Sequence, residues 1–398
     1  VIEMTLQYLK IGDLCNVSSS KRVFARQYVE DGIPFYRQKE IVDKKKGNPL
    51  ENLIYISESI YNDFKEKFGV PLNGDLLITA VGTFGIPYIV GDERFYFKDG
   101  NILWLSNFKK ELNSQFLYYW IDSSFGRDTL RNRTIGSAQP ALTIDSIKKL
   151  SVPIPPIEIQ EKIAFTLKKY DEILENNNKR IKLLEQMAEN LYKEWFVRFR
   201  FPGYEDVEFE NGLPKDWKIE RLSDIADIIM GQSPKSENYN TNCEGLPFHQ
   251  GVGSYGDFYL IDDIYSTKGN RIAEANSIIF SVRAPVGRIN ITLNKIILGR
   301  GVASINSVKG YNAYLLWMLK NQFQQEDIIG NGSIFASVTK KDLFGFKILM
   351  PNENLIQKFD SIASGIESVM RKISLINSNL EKQRDMLLPR LMSGKLEV

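Results

Sequence analysis

An internal duplication constrains this chain more than any other feature. Residues 74–85 read GDLLITAVGTFG and residues 275–287 read ANSIIFSVRAPVG; residues 136–156 read GSAQPALTIDSIKKLSVPIPP and residues 332–351 read GSIFASVTKKDLFGFKILMP. Each second block leads into a long helical pattern. One polypeptide therefore carries two similar, non-identical modules. That organisation suits a protein that touches two different things in one geometry better than a single-pocket catalyst.

The helical patterns set the domain plan. The first follows Pro153, Pro155 and Pro156 and the second follows Pro351; proline permits a helix start and forbids a helix interior. In the first, apolar residues step by four and three through Ile163, Leu167, Tyr170, Leu174, Ile181, Leu184, Ala188, Leu191 and Trp195, with Asn177 in the polar slot. In the second they fall at Phe359, Ile362, Ile366, Val369, Ile373, Ile376, Leu380 and Leu387, with Gln383 polar. This is a heptad repeat. At ~1.5 Å per residue, each helix would span roughly 50 Å. Two such helices either pack on separate globular cores or pair with each other as an intramolecular antiparallel coiled coil, and we expect the pair. The division that follows is 1–156 as a first domain, 157–200 as a first spacer helix, 201–352 as a linker and second domain, and 353–398 as a second helix and tail.

Within the modules, 75–81, 88–90, 277–282 and 289–293 read as strands and 112–122 and 311–322 as short helices. Strands joined by long loops predict an α+β class. Thr143 and Thr339 precede short helical patterns and read as caps. Gly85 and Gly287 recur at matched positions, where they serve turn geometry.

Composition excludes several functions. No apolar run reaches the length of a membrane span. The N-terminal VIEMTLQYLKIGDL has no basic stretch leading into an apolar core, so a cytoplasmic location is expected. Two cysteines, Cys15 and Cys243, make neither a disulfide framework nor a metal cluster. The single histidine, His249, rules out a multi-histidine metal site. The glycines around 81–85 and 330–332 have the spacing of neither a phosphate loop nor a dinucleotide fingerprint. No nucleophile elbow or methyltransferase motif is present. These absences together predict a chain with no catalytic residues, no metal and no cofactor of its own.

Four further segments carry a family resemblance. Residues 153–163 (PIPPIEIQEKI), 191–201 (LYKEWFVRFRF), 213–225 (LPKDWKIERLSDI) and 388–396 (LPRLMSGKL) occur in the order seen in specificity subunits of type I restriction-modification systems. Each alone is weak; all four, on a duplicated frame covering essentially the whole chain, make a strong resemblance. It implies two target-recognition domains that each read one half of a bipartite, asymmetric site in double-stranded DNA. It also implies that the paired helices set the spacing and dock two methyltransferase subunits, and that two motor-nuclease subunits complete the complex. N6-adenine methylation, ATP-dependent restriction, and S-adenosylmethionine, ATP and Mg2+ held by partner subunits enter by this resemblance alone. The rival is a structural adaptor that binds proteins without touching DNA. The net charge of +2, divided as +2 over 1–156 and −2 over 201–352, mildly favours that rival, since a free-standing DNA binder is usually more basic.

Candidate DNA contacts are Arg37, Gln38, Lys39, Lys44, Lys45, Arg131, Arg133 and Gln139 in the first module, and His249, Gln250, Arg271, Arg283 and Arg288 in the second. Arginine suits guanine, and glutamine suits adenine; lysine runs more often meet phosphate. Taken singly, each cation reads by default as a solvated surface group, and the set carries the argument. Trp195 and Phe196, at the end of the first helix, either contact the methyltransferase or seal the coil.

Overall fold

The computed structural model describes residues 7–134, 141–328 and 338–392. The chain packs as two compact units, one of residues 1–177 with 376–398 and one of 178–375. Each is a mixture of small, mostly antiparallel sheets and helices, and the α+β class holds.

In the first unit, a four-stranded antiparallel sheet runs in the order Asn16–Ser18, Ile102–Ser106, Leu76–Thr79, Pro87–Ile89. A second four-stranded sheet orders Tyr28–Val29, Ile54–Ile56, Ile33–Tyr36 and Tyr96–Phe97, the last pair parallel. A short ladder, Gln7–Lys10 against Ser151–Ile154, closes the base. The second unit repeats this plan. Ala226–Met230, Val302–Ser307, Ile278–Ser281 and Ile289–Ile291 form the first sheet. In the second sheet Leu246–His249 again runs parallel to its neighbour, Ile296–Leu298. Lys218–Arg221 against Lys347–Met350 repeats the basal ladder.

Three of the four strands read from the sequence are present with their ends trimmed, and the fourth, expected at 88–90, runs Pro87–Ile89; Leu76, Leu77, Ile78, Ile278, Ile279 and Phe280 are buried. Thr143 and Thr339 do cap helices: their hydroxyls accept from the Ser146 and Asp342 amides at 3.1 and 3.3 Å. The helices Gln38–Lys46, Glu58–Phe68 and Ser124–Arg131 were not read from the sequence.

The two long helices run Ile157–Tyr192 and Glu353–Met392. In the first unit, Ile163 and Leu167 share a core with Leu388 and Leu391, Asp171 pairs with Arg384 at 2.8 Å, and Asn177 donates to Asn377 at 2.8 Å. In the second unit, Ile181, Ala188 and Tyr192 share a core with Phe359, Ala363, Ile366, Met370 and Ile373. In the first unit the partner number falls as the other rises, so the helices pair antiparallel there, and in the second Tyr192, at the end of the first helix, meets Phe359, near the start of the second, as that direction requires.

The seam of the first helix is the one the heptad predicts. Ile163, Leu167, Leu174 and Ile181 are buried, and Leu184 and Leu191 half-buried. The seam of the second needs correction. Ile366 and Ile373 are buried and Leu380 half-buried, but Ile362, Val369 and Ile376 are 45%, 41% and 51% exposed. Ala363, Met370 and Asn377 take their places. From Phe359 the steps can run three-four or four-three, and the large apolar residues favoured the wrong order. Asn177 decides the matter. A buried carboxamide needs a partner, Asn377 supplies it, and burying Asn377 turns Ile376 outward by the ~100° that separates adjacent helical residues.

Trp195 and Phe196 are buried against Phe359, with ring centroids 5.9 and 5.1 Å away; they seal the second unit's core. Nearby, the Glu367 carboxyl accepts from the Trp317 indole at 3.0 Å, and burial pushes its pKa up to about 8. The native state therefore keeps a proton that the unfolded chain releases between pH ~4.5 and 8, so this group erodes stability as pH rises through that window. Glu367→Gln keeps an acceptor for the indole and removes the charge. We expect it to raise unfolding stability by about 2 kcal/mol at pH 8–9 and by nothing below pH ~4, measured by urea denaturation across pH.

Candidate nucleic-acid interface

The duplicated text builds the same loop twice. In the first unit the Thr79 hydroxyl donates to the Thr83 carbonyl at 2.7 Å and accepts from the Ile86 amide at 2.9 Å. In the second, the Ser281 hydroxyl donates to the Pro285 carbonyl at 2.7 Å and accepts from the Arg288 amide at 2.8 Å. Gly85 and Gly287 close the two loops at φ 78° and 82°, a left-handed backbone that other residues rarely adopt. The tips, with Gly82 and Thr83 in one and Arg283, Ala284 and Pro285 in the other, are exposed.

Beside each loop ends the strand of the parallel pair. In the first unit that strand delivers Arg37 and Gln38, and the Gln38 side-chain amide donates to Thr83 at 3.0 Å, tying strand end to loop tip. In the second unit Gln250 follows His249, whose carbonyl accepts from Gly299 at 2.8 Å, while Val282 donates to Gly301 at 3.0 Å. Gln250, Arg300 and Arg283 thus gather along one edge, all exposed.

The other predicted residues divide. Lys39, Arg131, Arg133 and Arg271 are exposed. Arg288 is exposed as well, though it has an interaction partner. Gln139 lies outside the described residues. Arg37 is engaged by the buried Glu40, whose carboxylate accepts from the Arg37 amide at 2.7 Å and binds its guanidinium. Lys44 pairs with Glu93 at 3.1 Å over the rings of Tyr36 and Tyr88. Lys45 bonds to Tyr118 and, at 2.7 Å, to Asp122. Burial alone would push the Lys45 ammonium down, but Tyr118 and Asp122 hold it above the ordinary lysine range. Lys45 is therefore a bracket between the helix Gln38–Lys46 and the helix Ser114–Asp122, not a free cation for phosphate.

His249 requires the firmest correction. It is fully buried, with Nδ1 2.7 Å from the Ser254 hydroxyl and Nε2 2.9 Å from Asp262. Asp262 in turn accepts from Asn294 at 2.7 Å. Its counterpart in the first unit, Tyr36, is buried as well. Each follows a buried phenylalanine on the strand of the parallel pair, and each points into the unit, so neither reaches a base.

The sequence reading missed the exposed segment 21–26, which carries Lys21, Arg22, Phe24 and Arg26. Its signal was available: three cations and an aromatic, with no acidic residue between Leu14 and Val29. Among the described residues no cluster of histidine, cysteine, aspartate or glutamate is arranged to hold a metal, and no helix is long and apolar enough to cross a membrane.

Comparison with known proteins places this geometry. Residues 4–186 and 214–383 match the family described as type I restriction modification DNA specificity domain. The chain is 28% identical over 382 residues to a putative type I restriction enzyme MjaX specificity subunit of Methanocaldococcus jannaschii, covering 92% of this chain and 88% of that one. It is 28% identical to the MjaIX specificity subunit of the same organism, over 72% of this chain and 69% of the relative. The type I restriction enzyme HindI specificity subunit of Haemophilus influenzae is 23% identical, over 65% and 71%. The crystal structure of the S subunit of a type I restriction-modification system from M. genitalium shares the fold, with a TM-score of 0.60 at 17% identity over 98% of this chain and 97% of that one.

Proposed function

Because the chain belongs to the type I restriction modification DNA specificity family, we propose that it is the non-catalytic subunit that chooses the DNA site for its complex. Each unit reads one half of a bipartite, asymmetric target in double-stranded DNA. The observation that carries this is a shared frame with divergent surfaces. The hydroxyl-latched loops at Thr79 and Ser281 are built alike, while the strand end beside them presents Arg37 and Gln38 in one unit and Gln250 in the other. A constant frame with different side chains at the same place is what two unlike half-sites require.

The antiparallel helices set the interval between the half-sites and dock two methyltransferase subunits. Two motor-nuclease subunits join them for restriction. S-adenosylmethionine, ATP and Mg2+ belong to those partners, which carry out N6-adenine methylation and ATP-dependent cleavage. The docking role draws support from apolar side chains left uncovered on the helices: Leu183, Met187, Ile362 and Val369 in the second unit, and Phe165 and Ile173 in the first. Leu183 and Met187 lie four residues apart and so share one helix face, and an uncovered apolar face suits a partner.

The test is co-expression with the modification subunit in cells lacking other DNA methylation, followed by genome-wide mapping of methylated bases. One split motif, two defined halves around a fixed unspecified gap, is the expected result. A soluble complex that methylates no motif would favour the adaptor reading.

A further inference from the structure

The segment 19–27 of the first unit is unusually well held for an exposed strip of chain. The Ser19 hydroxyl donates to the Ile102 carbonyl at 2.8 Å, and the Ser20 hydroxyl to the Phe97 carbonyl at 2.6 Å. The Lys21 amide donates to the Tyr96 hydroxyl at 2.9 Å. Val23 is buried. The Phe24 amide donates to the Gln27 side chain at 2.9 Å, and the Phe24 carbonyl accepts from the Gln27 amide at 2.8 Å. What this scaffold presents outward is not apolar core but Lys21, Arg22, Phe24 and Arg26. Phe24 is 52% exposed with the Arg26 guanidinium 5.5 Å from its ring. The Lys21 ammonium lies 5.0 Å from the ring of Phe68, itself 48% exposed. Arg22 shares one ion pair with Asp99, at 2.9 Å, and keeps most of its side chain in solvent.

We propose that Lys21, Arg22 and Arg26 grip the phosphates of duplex DNA at the first half-site, with Phe24 packed on a sugar or base edge between them. The proposal rests on the DNA-recognition reading above and adds to it where the charge lies. Cations interleaved with aromatics on a fixed surface are the footprint of nucleic-acid contact. Preordering means that little conformational entropy is lost on binding. The equivalent turn of the second unit, Ser236–Asn238 with Lys235 at its cap, carries one cation and one acid, Glu237. That contrast matches the charge of +2 over 1–156 against −2 over 201–352. The first unit therefore supplies more of the salt-sensitive grip, and the second relies more on its readout.

The experiment uses the full chain in complex with its modification subunit and a duplex carrying the motif found by methylation mapping. Affinity is measured against salt concentration. Each phosphate contact contributes about 0.9 to the slope of log affinity against log salt. The triple variant Lys21→Gln, Arg22→Gln, Arg26→Gln should lose about 2–3 from that slope, and Lys235→Gln at most about 1. Phe24→Ala should leave the slope unchanged and weaken binding roughly tenfold, in the range of one lost stacking contact. An unchanged slope in the triple variant, with complex assembly intact, overturns the proposal. If the triple variant does not assemble, Arg26→Gln alone decides, with a loss of about 1 expected and none overturning it. A wild-type complex that binds no duplex defeats the broader reading instead, so the two failures are distinguishable.

Discussion

Phe359→Ala should destabilise the second unit by about 3–5 kcal/mol, the cost of emptying a fully buried aromatic site. Phe359 is wholly excluded from solvent. Its ring lies between Tyr192 at 5.8 Å, Trp195 at 5.9 Å, Phe196 at 5.1 Å and Tyr314 at 6.2 Å. Three of these come from the end of the first long helix and the turn that follows it, and Tyr314 from the helix Asn312–Ile328, so no single neighbour can relax to fill the gap. The matched control is Ile362→Ala, one turn along the same helix and 45% exposed, which should change stability by no more than about 1 kcal/mol. Urea denaturation followed by tryptophan fluorescence measures both, since Trp195 and Trp317 share this core. Equal losses from the two variants would mean that the seam runs through Ile362 after all.

The heptad periodicity of both long helices was legible, because large apolar residues recur at the right interval whichever way the steps are laid. The phase of the second helix was not. Ile362, Val369 and Ile376 are better-looking core residues than Ala363, Met370 and Asn377, and only the demand of the buried Asn177 for a partner 200 residues away settles the choice. The strands around 75–81 and 277–282 were legible for the opposite reason. Their β-branched and aliphatic runs are buried as continuous blocks, and nothing remote decides their register with the loop that follows.

The candidate interface was legible as a place and much less so as a set of side chains. The repeated Gly85 and Gly287 do mark latched loops, and Arg37 and Gln250 do stand beside them. Lys45 looked available because its neighbours in sequence are lysines; its actual partners, Asp122 and Tyr118, lie more than 70 positions on. His249 looked like a reader because it follows Phe248. A strand shows alternating faces only while one of them is in solvent, and here Phe248 and His249 are both buried on a strand held inside its sheet between Tyr265–Ser266 and Ile296–Leu298. Segment 21–26 carries no repeated text, because its counterpart in the second unit, Ser236–Asn238 with Lys235 at its cap, has one cation and no aromatic.

Adding one heptad to each long helix, opposite each other in the antiparallel pair, should lengthen the unread gap of the DNA target by about three base pairs while leaving both half-sites unchanged. Seven residues rise about 10.5 Å along a helix, and a base pair occupies about 3.4 Å of duplex. A seven-residue insertion also keeps the apolar seam in phase, so the flanking pairs, Asp171 with Arg384 and Tyr192 with Phe359, retain their partners. Four residues in each helix would not: they break the alternation of three and four, and a loss of methylation is expected there. The readout is the methylated motif, mapped as for the parent chain. On the proposed function, side chains on the two units read the half-sites and the helices set the interval, so the two should separate cleanly. A motif whose half-sites change while the gap stays fixed would show that the helices do not set the interval, and would remove the spacer from the proposed function while leaving the two readers in place.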